Sequence, residues 1–181
     1  MARFYGVDEK DMTDRQREVA DRMIAGGRGH AGGLMALWLH QPDYADCAQE
    51  LGEYLRFHGT LSGNVRELII LTVAREWRCY HEWLVHEPIA RKNGLSGDVI
   101  ETIRTGRPPR FEDTAEAAAY DYVSALLRER RVSDAQFDAV REEFGLPGVI
   151  EISGLIGHYI NGAALLNAAE HDLPSGVSAP F

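Results

Sequence analysis

A thiol, a carboxyl group and an imidazole lie close together in the segment REWRCYHEWLVHEP, residues 75–88. If this segment is helical, successive side chains turn by about 100° per residue. Counted from Cys79, Glu82 then lies roughly 60° to one side, Trp83 roughly 40° to the other, and His86 roughly 20° away. Cys79, Glu82 and His86 would share one face with Trp83 beside them. This arrangement is suited to moving a proton, because a nearby carboxylate fixes the tautomer of an imidazole and an imidazolium favours a thiolate.

Simpler interpretations of the same residues stay open. Glu and His at i,i+4 often form a solvated pair on a helix surface, and a cysteine among apolar residues is usually a small buried hydrophobic residue. A protease-type zinc site is not expected, because His81 and His86 are five residues apart and therefore roughly 140° apart around a helix. No metal and no cofactor is predicted.

The composition is that of one acidic globular chain. With 181 residues, 45% of them hydrophobic, the sequence predicts a single domain over residues 1–181 that can bury a core. A net charge of −9 argues against nucleic acid or an anionic membrane as a partner. Two cysteines, Cys47 and Cys79, are too few for a disulfide framework. The N-terminal segment has no apolar core of a signal peptide and no run approaches the roughly 18 apolar residues of a membrane helix, so we expect a cytoplasmic protein.

The elements that must position these residues have helical periodicity almost throughout. The sequence predicts an all-α domain of seven to nine helices, with an N-terminal helix at about 13–25, a core over about 33–170 and a frayed C-terminal tail. Residues 64–77 are so dense in apolar side chains that they predict a core helix, with a buried strand as the alternative. Residues 79–94 predict the next helix, ended by Gly94. No glycine or proline between these two segments indicates where the chain turns.

Two further helices carry specific expectations. Residues 43–59 predict a helix with its large apolar side chains near one face: Leu51, Tyr54, Leu55 and Phe57. The last long apolar helix follows Gly145, and its polar residues His158 and Asn161 are expected to form a buried, hydrogen-bonded pair.

The chain resembles the carboxymuconolactone decarboxylase and alkylhydroperoxidase-D-like superfamily. The peroxidase branch carries the motif Glu-x11-Cys-x-His-Cys-x3-His, and the same spacing here reads Glu67, Cys79, His81, Glu82 and His86. Glu82 stands where the second cysteine belongs, and the other positions agree. The resemblance covers most of the chain. It implies a compact multi-helix fold whose protomers associate as trimers or hexamers, and it implies that Glu67 reaches the site from the preceding core helix.

The presence of Glu82 in place of the second motif cysteine determines which activity the resemblance implies. Peroxide reduction is implied to use two thiols, one oxidised to sulfenic acid and one resolving it as a disulfide. Here the helix has no resolving thiol, and Cys47 could serve only if it came close to Cys79. The Cys-x-x-Glu variant is more similar to the decarboxylase-like branch. We therefore expect a carboxy-lyase that needs no cofactor and acts on a small carboxylated lactone or aromatic ring-cleavage product.

The residues expected to perform this chemistry are, as catalytic groups, His86, Glu82, Cys79 and Glu67, and, as substrate-binding groups, His81, Trp83 and Arg75. Cys79 would act as a weak hydrogen-bond donor or a pocket wall. Arg56, Arg75 and Arg78 are the nearest cations in sequence for a substrate carboxylate. Two alternatives remain, a thiol-dependent hydroperoxide reductase that uses Cys79 and a non-catalytic oligomeric protein that retains the fold.

Overall fold

The computed structural model describes all 181 residues. The chain is all-α and has no strand, which confirms the predicted fold class. A short 3₁₀ turn, Glu9–Asp11, precedes the first α-helix, and one π-helical turn, Tyr54–His58, follows the third. The α-helices in chain order are α1 Asp14–Ala25, α2 Leu34–Trp38, α3 Pro42–Glu53, α4 Gly63–Glu76, α5 Tyr80–Lys92, α6 Gly97–Arg104, α7 Thr114–Glu129 and α8 Asp134–Ala168.

The helix ends follow the capping residues in the sequence. Thr13 caps α1 in a capping box with Gln16, and the Ser96 hydroxyl accepts a hydrogen bond from the Asp98 N–H at the start of α6. Gly94 ends α5 with φ of 88°. The next N–H, that of Leu95, then bonds back to the Ala90 carbonyl at 3.0 Å, a closure that needs left-handed backbone at the glycine. The expected N-terminal helix and the expected end of α5 are confirmed.

The helix predicted over residues 43–59 is divided in two. α3 ends at Glu53, and the chain continues into the π-helical turn Tyr54–His58. A π turn shifts the register of the side chains, so the expected common apolar face does not form. Leu55 is buried, whereas Leu51, Tyr54 and Phe57 are exposed.

The chain divides into two compact units. The first comprises residues 1–59 and 165–172, and the second comprises residues 60–164 and 173–181. The first unit has its own apolar core, in which side chains of α1, α2 and α3 pack together. The buried members of that core are Val19, Ala20, Met23, Met35, Trp38, Leu39 and Ala45.

The second unit is built around α4. The consecutive residues Leu68, Ile69, Ile70 and Leu71 are all buried, because α4 packs against α5, α6 and α7 and so has no face left to water. This packing explains why the segment lacks the one-sided pattern of a surface helix. The buried-strand alternative is excluded.

α8 is bent at Gly145, whose φ of 66° and ψ of −179° are non-helical. That region of backbone space is open essentially to glycine alone, so the predicted start of a new helix after Gly145 is confirmed. α8 is also the one helix long and apolar enough to cross a membrane by length and composition, contrary to the expectation that no run of the chain approaches the length of a membrane helix. Half of its most apolar window is buried inside the chain, as in an ordinary core helix, so the feature is weak evidence for a membrane.

Candidate active site

The chain turns from α4 into α5 within three residues, and Arg78 makes the turn. Arg78 has a left-handed backbone, with φ of 49°. Its N–H bonds to the Arg75 carbonyl at 3.2 Å, and the N–H of Cys79 bonds to the Ala74 carbonyl at 2.8 Å. These two bonds form the helix ending that usually requires glycine, so a sequence without glycine gave no signal for it. The turn places Cys79 at the N-cap of α5.

A buried hydrogen bond joins the two helices. Nδ1 of His86 on α5 lies 2.6 Å from Oε2 of Glu67 on α4. Both side chains are almost fully buried, with 3% and 1% of their surface exposed. At this distance Nδ1–H donates a short, charge-assisted hydrogen bond to the carboxylate. The bond fixes the ring orientation and leaves Nε2 as the nitrogen that faces the rest of the site.

A second carboxylate faces the other ring nitrogen. Oε2 of Glu82 lies 3.6 Å from Nε2 of His86, one helical turn away on α5. Both residues are buried, so the interpretation as a solvated surface pair is wrong. A separation of 3.6 Å is longer than a hydrogen bond. Nε2 and the Glu82 carboxylate are therefore close enough to act on the same proton, although they form no hydrogen bond with each other.

Cys79 is buried beside this group, but it is not activated. Burial raises the pKa of its thiol from 9.0 to about 12, and the charge of Glu82 adds to the rise. The backbone N–H groups of His81 and Glu82 lower the pKa in part, although they form no capping hydrogen bond with the sulfur. The expected stabilisation of a thiolate by an imidazolium is not among these effects. At neutral pH Cys79 is a protonated thiol.

Tyr159 of α8 completes the surroundings of His86. Its ring meets the imidazole edge-on, with centroids 5.0 Å apart and an interplanar angle of 88°, and it is buried. Sequence reasoning missed this residue because it looked like one more apolar position among the core residues of α8. The polar pair expected there is not buried, since His158 is half-buried and Asn161 is exposed.

The expected substrate-binding residues are divided between two places. Arg75 and Trp83 lie together around the ring of Phe181, with the Arg75 guanidinium 4.7 Å and the Trp83 ring 5.3 Å from its centroid. His81 is half-buried, in contrast to the buried Glu82 and Trp83 that follow it. Arg78 is exposed in the turn. Of Arg56, Arg75 and Arg78, which were considered for a substrate carboxylate, Arg75 lies with Trp83 at the Phe181 ring.

The two cysteines provide no disulfide. Both are free, with Cys47 exposed and Cys79 buried. The side chains of the chain also include no group of three His, Cys, Asp or Glu residues arranged to hold a metal ion. The polar side chains that the site brings together are those of Glu67, His86 and Glu82.

Comparison with known proteins gives a family and a fold. Residues 42–140, more than half of the chain, match the profile of the carboxymuconolactone decarboxylase family. A solved structure from Agrobacterium tumefaciens, of a protein of unknown function suggested to be the antioxidant defence protein AhpD, aligns with a TM-score of 0.67 and 20% identity. The alignment covers 76% of this chain and 94% of that chain, and at this identity it shows the fold alone. No curated protein matches the sequence significantly.

Proposed function

The chain belongs to the carboxymuconolactone decarboxylase family, and we propose that it is a cofactor-independent carboxy-lyase or a related acid–base lyase. Its substrate would be a small carboxylated lactone or a similar ring-cleavage product. The observation that carries the proposal is the buried sequence of contacts from Glu67 to His86 to Glu82.

Burial of this group supports a catalytic role. Removing a carboxylate from water costs several kcal/mol unless its partners replace the lost hydration. Apolar side chains of similar size would fill the same space without that cost. Two carboxylates and an imidazole between packed helices therefore stabilise the fold less than apolar side chains would. They suit a reaction in which a proton must be kept away from water.

Decarboxylation of a carboxy-lactone needs one proton and no redox partner. The bond between the ring carbon and the carboxylate breaks, carbon dioxide leaves, and the electron pair moves into the conjugated lactone carbonyl as an enolate. The enolate carbon then takes a proton, which we assign to Nε2 of His86. The imidazole regains its proton from solvent, either directly or through Glu82, so that the enzyme returns to its starting state.

Glu67 would act through His86. By accepting the Nδ1–H bond it holds the ring with Nε2 directed at the reacting atom, and it stabilises the protonated ring. Cys79 keeps its hydrogen at neutral pH, so it can donate a weak hydrogen bond to the enolate oxygen. Neither role requires a cofactor.

The thiol-peroxidase alternative is less well supported. A peroxidatic cysteine reacts as its thiolate, whereas burial raises the pKa of Cys79 to about 12. The position of a resolving cysteine on the same helix holds Glu82, and the other thiol, Cys47, is exposed and free.

Two assays test the proposal. Wild type, Cys79→Ser and His86→Gln are each incubated with carboxymuconolactone-type acids, following carbon dioxide release, and with a hydroperoxide plus a dithiol. We expect release that survives Cys79→Ser and is lost in His86→Gln, with His58→Gln as the control because His58 is an exposed histidine. Peroxide turnover that needs Cys79 would replace the lyase proposal by the peroxidase, and inactivity in both assays would favour a non-catalytic protein.

We further propose that the chain associates with copies of itself through α8. Beyond the bend at Gly145, the exposed face of this helix carries no charged residue and includes Leu146, Ile150, Ser153 and Gly157. Ile150 has 72% of its surface exposed. An uncharged helix face with small residues allows a second helix to approach closely, and a copy of the same chain is the partner that the family resemblance supports.

A further inference from the structure

The ring of Phe181 lies in a cradle formed by Arg75, Tyr80 and Trp83. The Arg75 guanidinium stands over the Phe181 ring at 4.7 Å from its centroid. The Tyr80 and Trp83 rings meet it edge-on, each with centroids 5.3 Å apart. Such contacts between a cation, two aromatic rings and a third ring are individually favourable. We name these three residues, without Phe181, the aromatic cradle.

The end of the C-terminal segment is held against the rest of its unit. Nη1 of Arg104 donates to the Pro180 carbonyl at 2.6 Å, and Phe181 fills the aromatic cradle. Between them and α8, residues 174–179 are exposed and form a loose turn in which the Val177 N–H donates to the Pro174 carbonyl. The tail was expected to fray, whereas its last two residues are in contact. Because residues 174–179 bury little surface, release of the segment costs little beyond the contacts of Pro180 and Phe181.

The aromatic cradle shares α5 with the proposed catalytic residues. Trp83 follows Glu82 directly, and it precedes His86 by three residues, which is about 4.5 Å along the helix axis. Arg75 is held at the Phe181 ring by a second contact, because its Nε donates to the Arg104 carbonyl at 2.9 Å. Tyr80 and Trp83 of the cradle therefore lie on the same helix as His86 and within two turns of it.

We propose that the aromatic cradle is the binding site for a planar, unsaturated ring carboxylate and that Phe181 occupies it as an internal competitor. Tyr80 and Trp83 would pack against the ring of the ligand. The guanidinium of Arg75 would pair with the carboxylate, for which its planar fork is suited, and would hold this anion against the negative net charge of the chain. The substrate would enter as Phe181 leaves. The assignment of the ligand as substrate rests on the proposed lyase function.

Benzoate is the probe, and its binding is measured by calorimetry, which does not depend on turnover. We expect Phe181→Ala to bind benzoate about tenfold more tightly than wild type, because the competitor is gone. Arg104→Met should increase the affinity in the same direction by releasing the tail without changing the ring. Val177→Ala, in the exposed part of the same tail, is the control and should bind as wild type. The double variant Phe181→Ala with Arg75→Met should lose the gain.

Equal benzoate affinity in wild type, Phe181→Ala and Arg104→Met would overturn the proposal, and so would a gain that survives the loss of Arg75. The outcome is separate from that of the lyase proposal. Tighter binding in Phe181→Ala without any carbon dioxide release would retain the cradle as a ring-carboxylate site and reject the lyase. Carbon dioxide release with unchanged benzoate affinity in these variants would retain the lyase and reject the cradle.

Discussion

Nδ1 of His86 lies 2.6 Å from Oε2 of Glu67, although the two residues are 19 positions apart and belong to different helices. The contact exists because α4 and α5 pack against each other after the turn at Arg78. It gives the imidazole a defined tautomer and one direction for proton transfer.

The first prediction concerns this pair. Replacing His86 by Gln removes the proton carrier, so the rate of carbon dioxide release should fall by about 10²- to 10⁴-fold. Replacing Glu67 by Gln keeps the shape but removes the charge that orients the imidazole, and should lower the rate by at least about tenfold. Thermal unfolding should show that Glu67→Gln is folded, so that its lower rate reports on the site. Full activity in Glu67→Gln would contradict the role of Glu67.

The local part of this site could be predicted from the sequence, since Glu82 and His86 are one turn apart on a single helix and periodicity alone places them together. The dense apolar run of α4 likewise predicted a core helix. That Glu67 reaches the site from the preceding helix was implied by the family resemblance, whereas its contact with His86 was not predicted, because no local pattern reports which residues of two helices meet.

Three features of the site escaped prediction for different physical reasons. Arg78 adopts backbone geometry that its residue type disfavours, so the turn had no sequence signal. Tyr159 meets His86 through tertiary packing and is indistinguishable in sequence from a core aromatic. Phe181 lies in an exposed, glycine- and proline-containing tail whose composition predicts disorder. The contacts of its ring with Arg75 and Trp83 nevertheless hold the end of the tail in place.

The second prediction concerns Cys79. Its raised pKa, about 12, means that the reactive thiolate is about 10³-fold rarer at pH 8 than for a thiol with the ordinary value of 9.0, because each unit of pKa is a factor of ten. In Cys47→Ser, alkylation of the remaining thiol by iodoacetamide should be slow. Its rate should still be rising tenfold per pH unit as pH passes 9, because the thiol is still almost entirely protonated there.

Mass spectrometry of the alkylated protein measures this rate. Cys79→Ser, which retains the exposed Cys47, is the comparison and should react faster. A Cys79 rate that equals the Cys47 rate, or that levels off near pH 9, would show an accessible thiol of ordinary acidity and would strengthen the peroxidase alternative.

The third prediction concerns self-association through α8. Ile150→Glu puts a charge into the centre of the uncharged face, where a partner helix would have to remove it from water. We expect a smaller particle mass by light scattering after size exclusion than for wild type at the same concentration. Val177→Glu adds the same charge at another exposed apolar position and should leave the mass unchanged. An identical mass for wild type and Ile150→Glu would exclude this face as the interface.

The fourth prediction concerns the turn that joins α4 to α5. A residue other than glycine in left-handed backbone costs about 1–2 kcal/mol, and Arg78 is exposed, so its side chain offers little packing to lose. Arg78→Gly relieves the strain but makes the unfolded chain more flexible, which takes back part of the gain. We expect the free energy of unfolding to rise by about 0.5–1 kcal/mol, measured by urea denaturation.

Two variants identify the cause of that change. Arg78→Lys keeps the charge and the strained backbone, so its stability should equal that of wild type. Arg130 ends α7 with the same left-handed geometry, φ of 62°, and Arg130→Gly should therefore gain stability by a similar amount. If Arg78→Gly is instead destabilised while Arg130→Gly gains, the Arg78 side chain must contribute contacts that outweigh the backbone strain. The position of Cys79 and α5 would then depend on that side chain as well as on the turn.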